Sequence, residues 1–189
     1  DTYNNELLQL EKLREEAVRT NDTVYLPLYK FMRSFHYYEL TLRFGDIPYS
    51  DAMKGQAEGN YNAKYDTQEE VFAGILNDLT AADEGLAASP DADVIEGDII
   101  YGGDKLKWRK LINSFHLKVL LTLSHKATVG GINVQQEFAR VAQLPLMESN
   151  ADNGQLVYLD QEGNRYPQFN AQWSGYYMDK TYVDRMAER

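Results

Sequence analysis

The chain has 189 residues, of which 43% are hydrophobic and 25% are charged, so it can bury the core of one folded domain and is not of the disordered class. Its 19 basic and 29 acidic residues give a net charge of −10, which makes nucleic acid and anionic membrane surfaces poor partners. The absence of cysteine excludes disulfides, thiolate metal ligands and a cysteine nucleophile.

Two helices are predicted at the start of the chain. Residues 4–20 carry leucines on one face with Glu and Arg opposite, which is typical of an amphipathic helix. The second predicted helix runs from about residue 23 to residue 44, and its apolar face, with Phe31, Phe35 and Tyr38, is expected to be core. The sequence GDIPY at residues 45–49 ends it, because glycine can adopt a left-handed conformation and proline cannot re-enter a helix.

Two further long helices follow a polar connection. Thr67 and Glu70 have the spacing of a capping box and predict the start of the third helix. After an acidic loop, a fourth helix is predicted from Leu106 to about Lys126, and we expect it to be the most buried because apolar residues occupy nearly every face. Asn133 is the predicted cap of a shorter helix.

The pattern changes after Pro145. Residues 156–159 and 165–169 flank a polar stretch with a glycine, which predicts a small β-hairpin near the C-terminus, and a last helix begins near Lys180. Four or five helices in antiparallel succession predict a single all-α domain over residues 1–189, built of helix pairs with long loops. The chain has no strict 34-residue tetratricopeptide consensus.

The motifs of common catalytic and metal sites are not recognisable. His36, His116 and His125 occur singly on predicted helices without a zinc-site spacing, and no G-x-S-x-G sequence is present, so we predict no catalytic residue, metal or cofactor. The acidic loop before the fourth helix lacks the glycine and glutamate spacing of a calcium loop. A helical hydrolase with two carboxylates across a cleft stays an alternative.

Aromatic residues in a polar, non-periodic segment are the candidate ligand site. Trp173, Tyr176 and Tyr177 are interspersed with amides, serine and glycine. Exposed rings can stack on sugar faces while amides bond hydroxyl groups, so we predict that these three residues bind ligand. The alternative is that the rings pack the C-terminal segment onto the helices, and Tyr61 and Tyr65 in the long connection carry the same two interpretations.

Several segments, in this order, resemble one family. Residues 32–49, MRSFHYYELTLRFGDIPY, resemble an aromatic helix with a G-D-[VI]-P-Y ending, and residues 65–79 resemble the element that follows it. Residues 98–118 are similar to a Y-G-G-D-x-x-K-W-x-K-x-x-N-S stretch of one branch, and residues 146–153 and 180–186 continue the likeness. The family is that of the SusD/RagB-like outer-membrane lipoproteins of nutrient-uptake systems.

The resemblance implies a fold and a role. The fold is a scaffold of tetratricopeptide-like helix pairs, and the role is non-catalytic capture of an oligosaccharide at the cell surface. The implied partner is a SusC-like TonB-dependent outer-membrane transporter, to which the glycan is delivered. Relatives of this family bind peptide in some cases, and a helical protein-interaction scaffold without a sugar site is the alternative function.

The sequence departs from the family pattern in two places. It lacks the lipobox cysteine that carries the lipid anchor, and it stops at Arg189, where relatives continue into a variable half that contributes much of the ligand surface. We therefore expect a fragment of a longer SusD-like chain whose full-length form is lipid-anchored at the outer membrane. Family ligand contacts vary too much to be carried onto positions of this sequence.

Overall fold

A computed structural model describes residues 2–167 and 180–187 of the chain. It divides into two units, Asp1–Gly154 and Gln155–Arg189, which are described separately. The first unit holds the helical core. In chain order its helical elements are a π-helical turn (Tyr3–Leu7), α1 (Leu8–Thr20), α2 (Tyr25–Phe44), α3 (Lys54–Glu58), α4 (Gln68–Ala88), α5 (Lys105–Thr122), α6 (Val134–Val141) and a 3-10 turn (Asn150–Asp152).

The core lies where α4 packs against both α2 and α5, and α1 packs on α2. Side chains from these helices are fully buried, and each such Leu, Ile or Val stabilises the fold by about 1.5–3 kcal/mol relative to an exposed position. The largest is Tyr37 of α2, and most of the fully buried aliphatic side chains come from α4 and α5, among them Ile75, Leu76, Leu79, Ile112, Val119 and Leu120.

One expectation about burial is wrong in part. Helices α4 and α5 are buried to about the same extent, with 8 of 21 and 7 of 18 residues buried, although Leu106 and Leu121 of α5 are 51% and 59% exposed. On α2, Phe31 and Tyr38 are core as expected, but Phe35 is 40% exposed. The ring of Phe35 still lies 5.5 Å from that of Phe115 on α5, so it covers the edge of the core instead of filling it.

The helix ends follow the predicted chemistry. The capping box of α4 is present: Glu70 N donates to Thr67 Oγ1 at 3.3 Å, and Thr67 N donates to Glu70 Oε2 at 2.8 Å. Asn133 caps α6 by accepting a hydrogen bond from Gln136 N at 2.9 Å. Gly45 ends α2 with a φ of 74°, in the range that favours glycine.

Two short antiparallel strand pairs connect the helices of the first unit. Strand β1 (Ile47–Pro48) pairs with β2 (Tyr65–Asp66), and β3 (Thr128–Val129) pairs with β4 (Ile132–Asn133). Strands of two residues leave the all-α class intact, as predicted. Because β1 contains the Ile-Pro of the GDIPY sequence, this turn is tied to the start of α4.

The second unit is described from residue 155 to residue 167 and from residue 180 to residue 187. Residues 156–159 form no strand, although Leu159 N donates to Asn164 O at 2.9 Å across a turn. The predicted hairpin is therefore a turn without a strand pair as far as residue 167, and residues 168 and 169 lie outside the described part. Helix α7 (Lys180–Ala187) begins where predicted. The prediction of one domain over residues 1–189 stays a prediction.

Among the described residues, none of the helices combines the length and the apolar character that crossing a membrane requires.

Candidate functional site

The three predicted ligand residues Trp173, Tyr176 and Tyr177 lie outside the described residues, so the ring site they form stays a prediction. Tyr61 and Tyr65 are described, and both rings are on the surface, 83% and 72% exposed. Both rings are therefore largely open to solvent, although the ring of Tyr61 lies against Gly55 of α3.

Tyr65 borders a groove at the C-terminal end of α2. The groove has a volume of about 590 Å³, within the usual range for small-ligand sites. We call it the aromatic groove and define it by Tyr3, Arg43, Phe44, Asp46 and Tyr65. Phe44, the last residue of α2, is 70% exposed. The groove therefore presents two large rings to solvent at one end of the helical scaffold.

The strand pair β1–β2 explains why Tyr65 faces outward. Successive side chains of a strand point to opposite sides, and the next residue, Asp66, is 4% exposed. The Asp66 carboxylate accepts hydrogen bonds from Ser50 N at 2.6 Å, Tyr49 N at 3.1 Å and Ser50 Oγ at 2.8 Å. These bonds lower the pKa of Asp66 although burial opposes them. The buried carboxylate thus fixes the strand, and the strand aims Tyr65 away from the core.

The polar groups of the aromatic groove carry both donors and acceptors. The Arg43 guanidinium is exposed and forms a 3.2 Å contact with Glu39. Asp46 accepts a hydrogen bond from Gln68 N at 2.8 Å through one of its two carboxylate oxygens. The Tyr3 hydroxyl donates to Pro48 O at 2.7 Å, and burial raises its pKa to about 12, so it is neutral at physiological pH.

Rings beside charged hydrogen-bonding groups suit a ligand that has apolar faces and hydroxyl edges. A pyranose ring has both, and aromatic stacking with bonds from Arg and Asp is a chemistry that binds sugars without reacting with them. Large exposed rings close together on a protein surface are a usual mark of a binding site.

The histidines do not form a site of general acid and base catalysis. His116 is fully buried, and its Nε2 lies 3.5 Å from Glu137 Oε1. Burial lowers the pKa of His116 to about 4, so the ring is neutral at pH 7. Burial also lowers the pKa of His36, and His125 lies on the surface.

The acidic loop before α5 uses its best-placed carboxylate internally. Asp98 accepts hydrogen bonds from Ile100 N at 2.9 Å, Tyr101 N at 3.2 Å, Gly103 N at 2.9 Å and Trp108 Nε1 at 2.8 Å. These bonds hold the pKa of Asp98 below its ordinary value against the opposing effect of burial. In the described ranges, 2–167 and 180–187, no group of three or more His, Asp or Glu side chains is arranged to hold a metal ion. The four hydrogen bonds to Asp98 fix the backbone of the YGGD stretch at the start of α5.

Sequence reasoning identified Tyr65 as a candidate but missed Phe44, Arg43 and Tyr3. In the sequence, Phe44 looks like one more apolar residue of a helix. Only its position next to Gly45, where the helix ends, could have indicated that its side chain is exposed. Tyr3 is held in the groove by its hydrogen bond to Pro48 O, 45 residues later in the chain, and no local sequence pattern predicts such a contact.

Comparison with known proteins identifies the fold and the family of the chain. A family model described as starch-binding associating with outer membrane, SusD-like, matches residues 1–189. No curated protein sequence matches the chain significantly.

Solved structures match closely. A SusD homologue of Bacteroides fragilis is 62% identical with a TM-score of 0.90, and the match covers 99% of this chain and 40% of that one. An outer-membrane protein of Bacteroides vulgatus, named for a role in nutrient binding, is 48% identical with a TM-score of 0.88 and the same coverage. A chitin-binding protein is 28% identical with a TM-score of 0.66, and the match covers 81% of this chain and 32% of that one.

The chain thus spans about 40% of the length of the two most similar of these structures. Their likeness confirms the predicted tetratricopeptide-like arrangement of helix pairs, and the family match covers the aromatic helix, the GDIPY turn and the YGGD loop together. The chain belongs to the SusD-like family.

Proposed function

We propose that the protein binds glycan without breaking it, at the cell surface, as the helical part of an outer-membrane nutrient-binding protein. The observation that carries this proposal is the family match along residues 1–189. The named ligands of the family and of one structural relative, starch and chitin, are both sugar polymers. We further propose that a lipid anchor holds the full-length protein at the outer membrane and that it delivers the glycan to a SusC-like TonB-dependent transporter.

The aromatic groove supports the proposal from the structure. Its two exposed rings, Phe44 and Tyr65, can stack on sugar faces, while Arg43 and Asp46 bond hydroxyl groups. The groove is held by α2 and by the β1–β2 pair, both of which are anchored to buried groups, so it does not have to be ordered by the ligand. A preformed site loses less entropy on binding.

We also propose that Trp173, Tyr176 and Tyr177 contribute a second set of stacking rings. Their segment has the composition of a binding loop, with amide and hydroxyl side chains between the rings. In this proposal the chain carries two separate sets of rings, and the affinity of each set for a single sugar unit is modest.

Calorimetry against starch and chitin oligosaccharides tests the function. We expect Tyr65→Ala to weaken binding about fivefold to tenfold, since loss of a stacking ring costs on the order of 1 kcal/mol. Tyr61→Ala is the matched control, because Tyr61 is even more exposed and does not line the groove.

Three outcomes would contradict the proposal. Failure of all glycans to bind, together with binding of a peptide or of the transporter, would favour a protein-interaction scaffold. Equal effects of the two tyrosine variants would remove the aromatic groove from the site. Release of shortened sugars by the purified protein would show catalysis.

A further inference from the structure

A second groove lies between the end of α5 and the start of α6. It has a volume of about 450 Å³ and a floor of apolar side chains that includes Leu121 and Phe138. Its rim carries the polar residues Ser124, His125 and Lys126. We call it the α5–α6 groove. It shares no lining residue with the aromatic groove.

The charge of the α5–α6 groove is opposite to that of the chain. The chain carries a net charge of −10, yet the residues that line this groove include one lysine and one histidine and no carboxylate. Across the part of the chain that the structure describes, Lys126 forms no ion pair, whereas most other lysines and arginines there lie within 4.0 Å of a carboxylate.

The other cleft that Lys126 borders contains two carboxylates, those of Asp46 and Glu69. Each accepts a backbone hydrogen bond, from Gln68 N at 2.8 Å and from Gly130 N at 3.1 Å, and among the described residues neither lies within 4.0 Å of the Lys126 ammonium group. A lysine left without a partner next to an apolar floor favours a negatively charged ligand, because charge complementarity guides such a ligand to it.

The remaining polar groups favour a hydroxyl-rich ligand. Ser124 and Gln135, both exposed at the rim, each offer a donor and an acceptor, the combination that bonds a hydroxyl group. The apolar floor can contact the C–H face of a ring. A sugar ring that carries a carboxylate can interact with all of these groups: its carboxylate with the lysine, its hydroxyls with the two polar side chains and its C–H face with the apolar floor.

We propose that the α5–α6 groove binds a carboxylate-bearing saccharide of the uronic acid class. Lys126 pairs with the carboxylate, His125 donates a hydrogen bond from its ring, Ser124 and Gln135 bond hydroxyls, and Leu121 and Phe138 contact the ring face. This inference rests on the proposed function in taking a saccharide as ligand, and it adds a substrate class that the aromatic groove does not select.

Titration of the protein with oligoglucuronate, followed by amide NMR and calorimetry, tests the inference. We expect changes in the amide chemical shifts of residues 124–127 and of Gln135, and an affinity that decreases as the salt concentration rises. Lys126→Met should weaken binding about threefold to fivefold, in the upper part of the range for an exposed ion pair, and Lys126→Arg should restore it. Lys107→Met, at the opposite end of α5, is the matched control and should leave affinity unchanged.

Two matched ligands separate the parts of the inference. The neutral glucose oligomer of equal length should bind the groove at least threefold more weakly, since it lacks the group that pairs with Lys126. Succinate should also bind more weakly, since it lacks the ring. Succinate that binds as tightly as oligoglucuronate, or equal affinity in Lys126→Met, would overturn the inference.

The same titration distinguishes this inference from the proposed function. Binding of neutral glycans that is lost in Tyr65→Ala, with no shifts at residues 124–127 in oligoglucuronate, would overturn the inference and leave the function standing. Shifts at residues 124–127 that require Lys126, without any binding of neutral glycans, would support the inference and argue against the aromatic groove.

Discussion

Arg33 of α2 and Asp78 of α4 form an ion pair that joins the two helices, with 2.6 Å between Arg33 Nη1 and Asp78 Oδ2. The same nitrogen donates to the Tyr49 hydroxyl at 3.0 Å, and the guanidinium carbon lies 4.4 Å from the centre of the Tyr49 ring. Tyr49 is the last residue of the GDIPY sequence. One arginine therefore joins the helix pair to the turn that follows α2.

Removing the carboxylate of this pair should destabilise the fold. We expect Asp78→Asn to lower the free energy of unfolding by about 1–3 kcal/mol, because both side chains are only about one-fifth exposed and Arg33 keeps its charge. Urea denaturation measures the change. Glu39→Gln breaks the exposed pair with Arg43 and should cost less than about 0.5 kcal/mol. Equal losses in the two variants would show that burial does not strengthen the Arg33 pair.

Gly74 of α4 is expected to tolerate no side chain. A Cβ atom at this position would overlap the ring and hydroxyl of Tyr49, so Gly74→Ala should destabilise the protein by about 1–3 kcal/mol. At an open helix position the same change stabilises by about 0.5–1 kcal/mol, so the sign of the effect is diagnostic. When Tyr49 is also replaced by alanine, the side chain introduced at residue 74 has room. A double-mutant cycle should therefore show that Gly74→Ala costs little stability in the Tyr49→Ala protein.

The free energy of unfolding should decrease as the pH is lowered, because of His116. Its folded pKa of about 4 lies below the ordinary value of 6.5, so the unfolded chain takes up a proton that the folded protein cannot. The contribution is constant above about pH 6.5, is lost as pH falls towards 4, and amounts to about 2 kcal/mol between pH 7 and pH 5. Urea denaturation at both pH values measures it.

The control for this pH dependence is a comparison of slopes. His116→Gln should remove about 2 kcal/mol of the pH dependence, while the smaller part that arises from His36 remains. Because the difference between two pH values is compared, a general loss of stability in the variant does not obscure the result. An unchanged slope would show that Glu137, 3.5 Å away, stabilises the protonated ring.

Trp173→Ala tests the predicted ring site in the C-terminal segment. If Trp173 stacks on sugar, the variant loses on the order of 1–2 kcal/mol of glycan binding and keeps its unfolding transition. His116→Ala is the control for binding, because His116 is buried in the core and lines neither the aromatic groove nor the α5–α6 groove. A Trp173→Ala protein that unfolds would instead place Trp173 in a packed core.

The helices could be predicted because their signals are local. Thr67 and Glu70 lie three residues apart, and Gly45 and Pro48 end α2 within one turn of it, so a short window of sequence contains the whole cause of each boundary. Burial was predicted less well. The exposure of Phe35 depends on where α5 lies relative to α2, and helical periodicity does not contain that information.

The candidate sites depend still more on long-range contacts. Tyr65 joins Phe44 in the aromatic groove only because β1 and β2 pair across 17 residues, and two-residue strands have no recognisable sequence pattern. In the α5–α6 groove, Lys126 is a candidate only because it has no ion-pair partner in residues 2–167 and 180–187, which is a property of the folded surface.

The pairing of β1 with β2 also affects how the protein can diversify. It closes the segment from Ser50 to Lys64 at its base, where Asp66 bonds Tyr49 and Ser50, so the buried helices do not depend on the length of the segment between. Doubling the length of such a closed loop costs only about 0.6 kcal/mol. Insertions there could therefore reshape the edge of the surface beside Tyr65, and with it the choice of ligand, at almost no cost to folding.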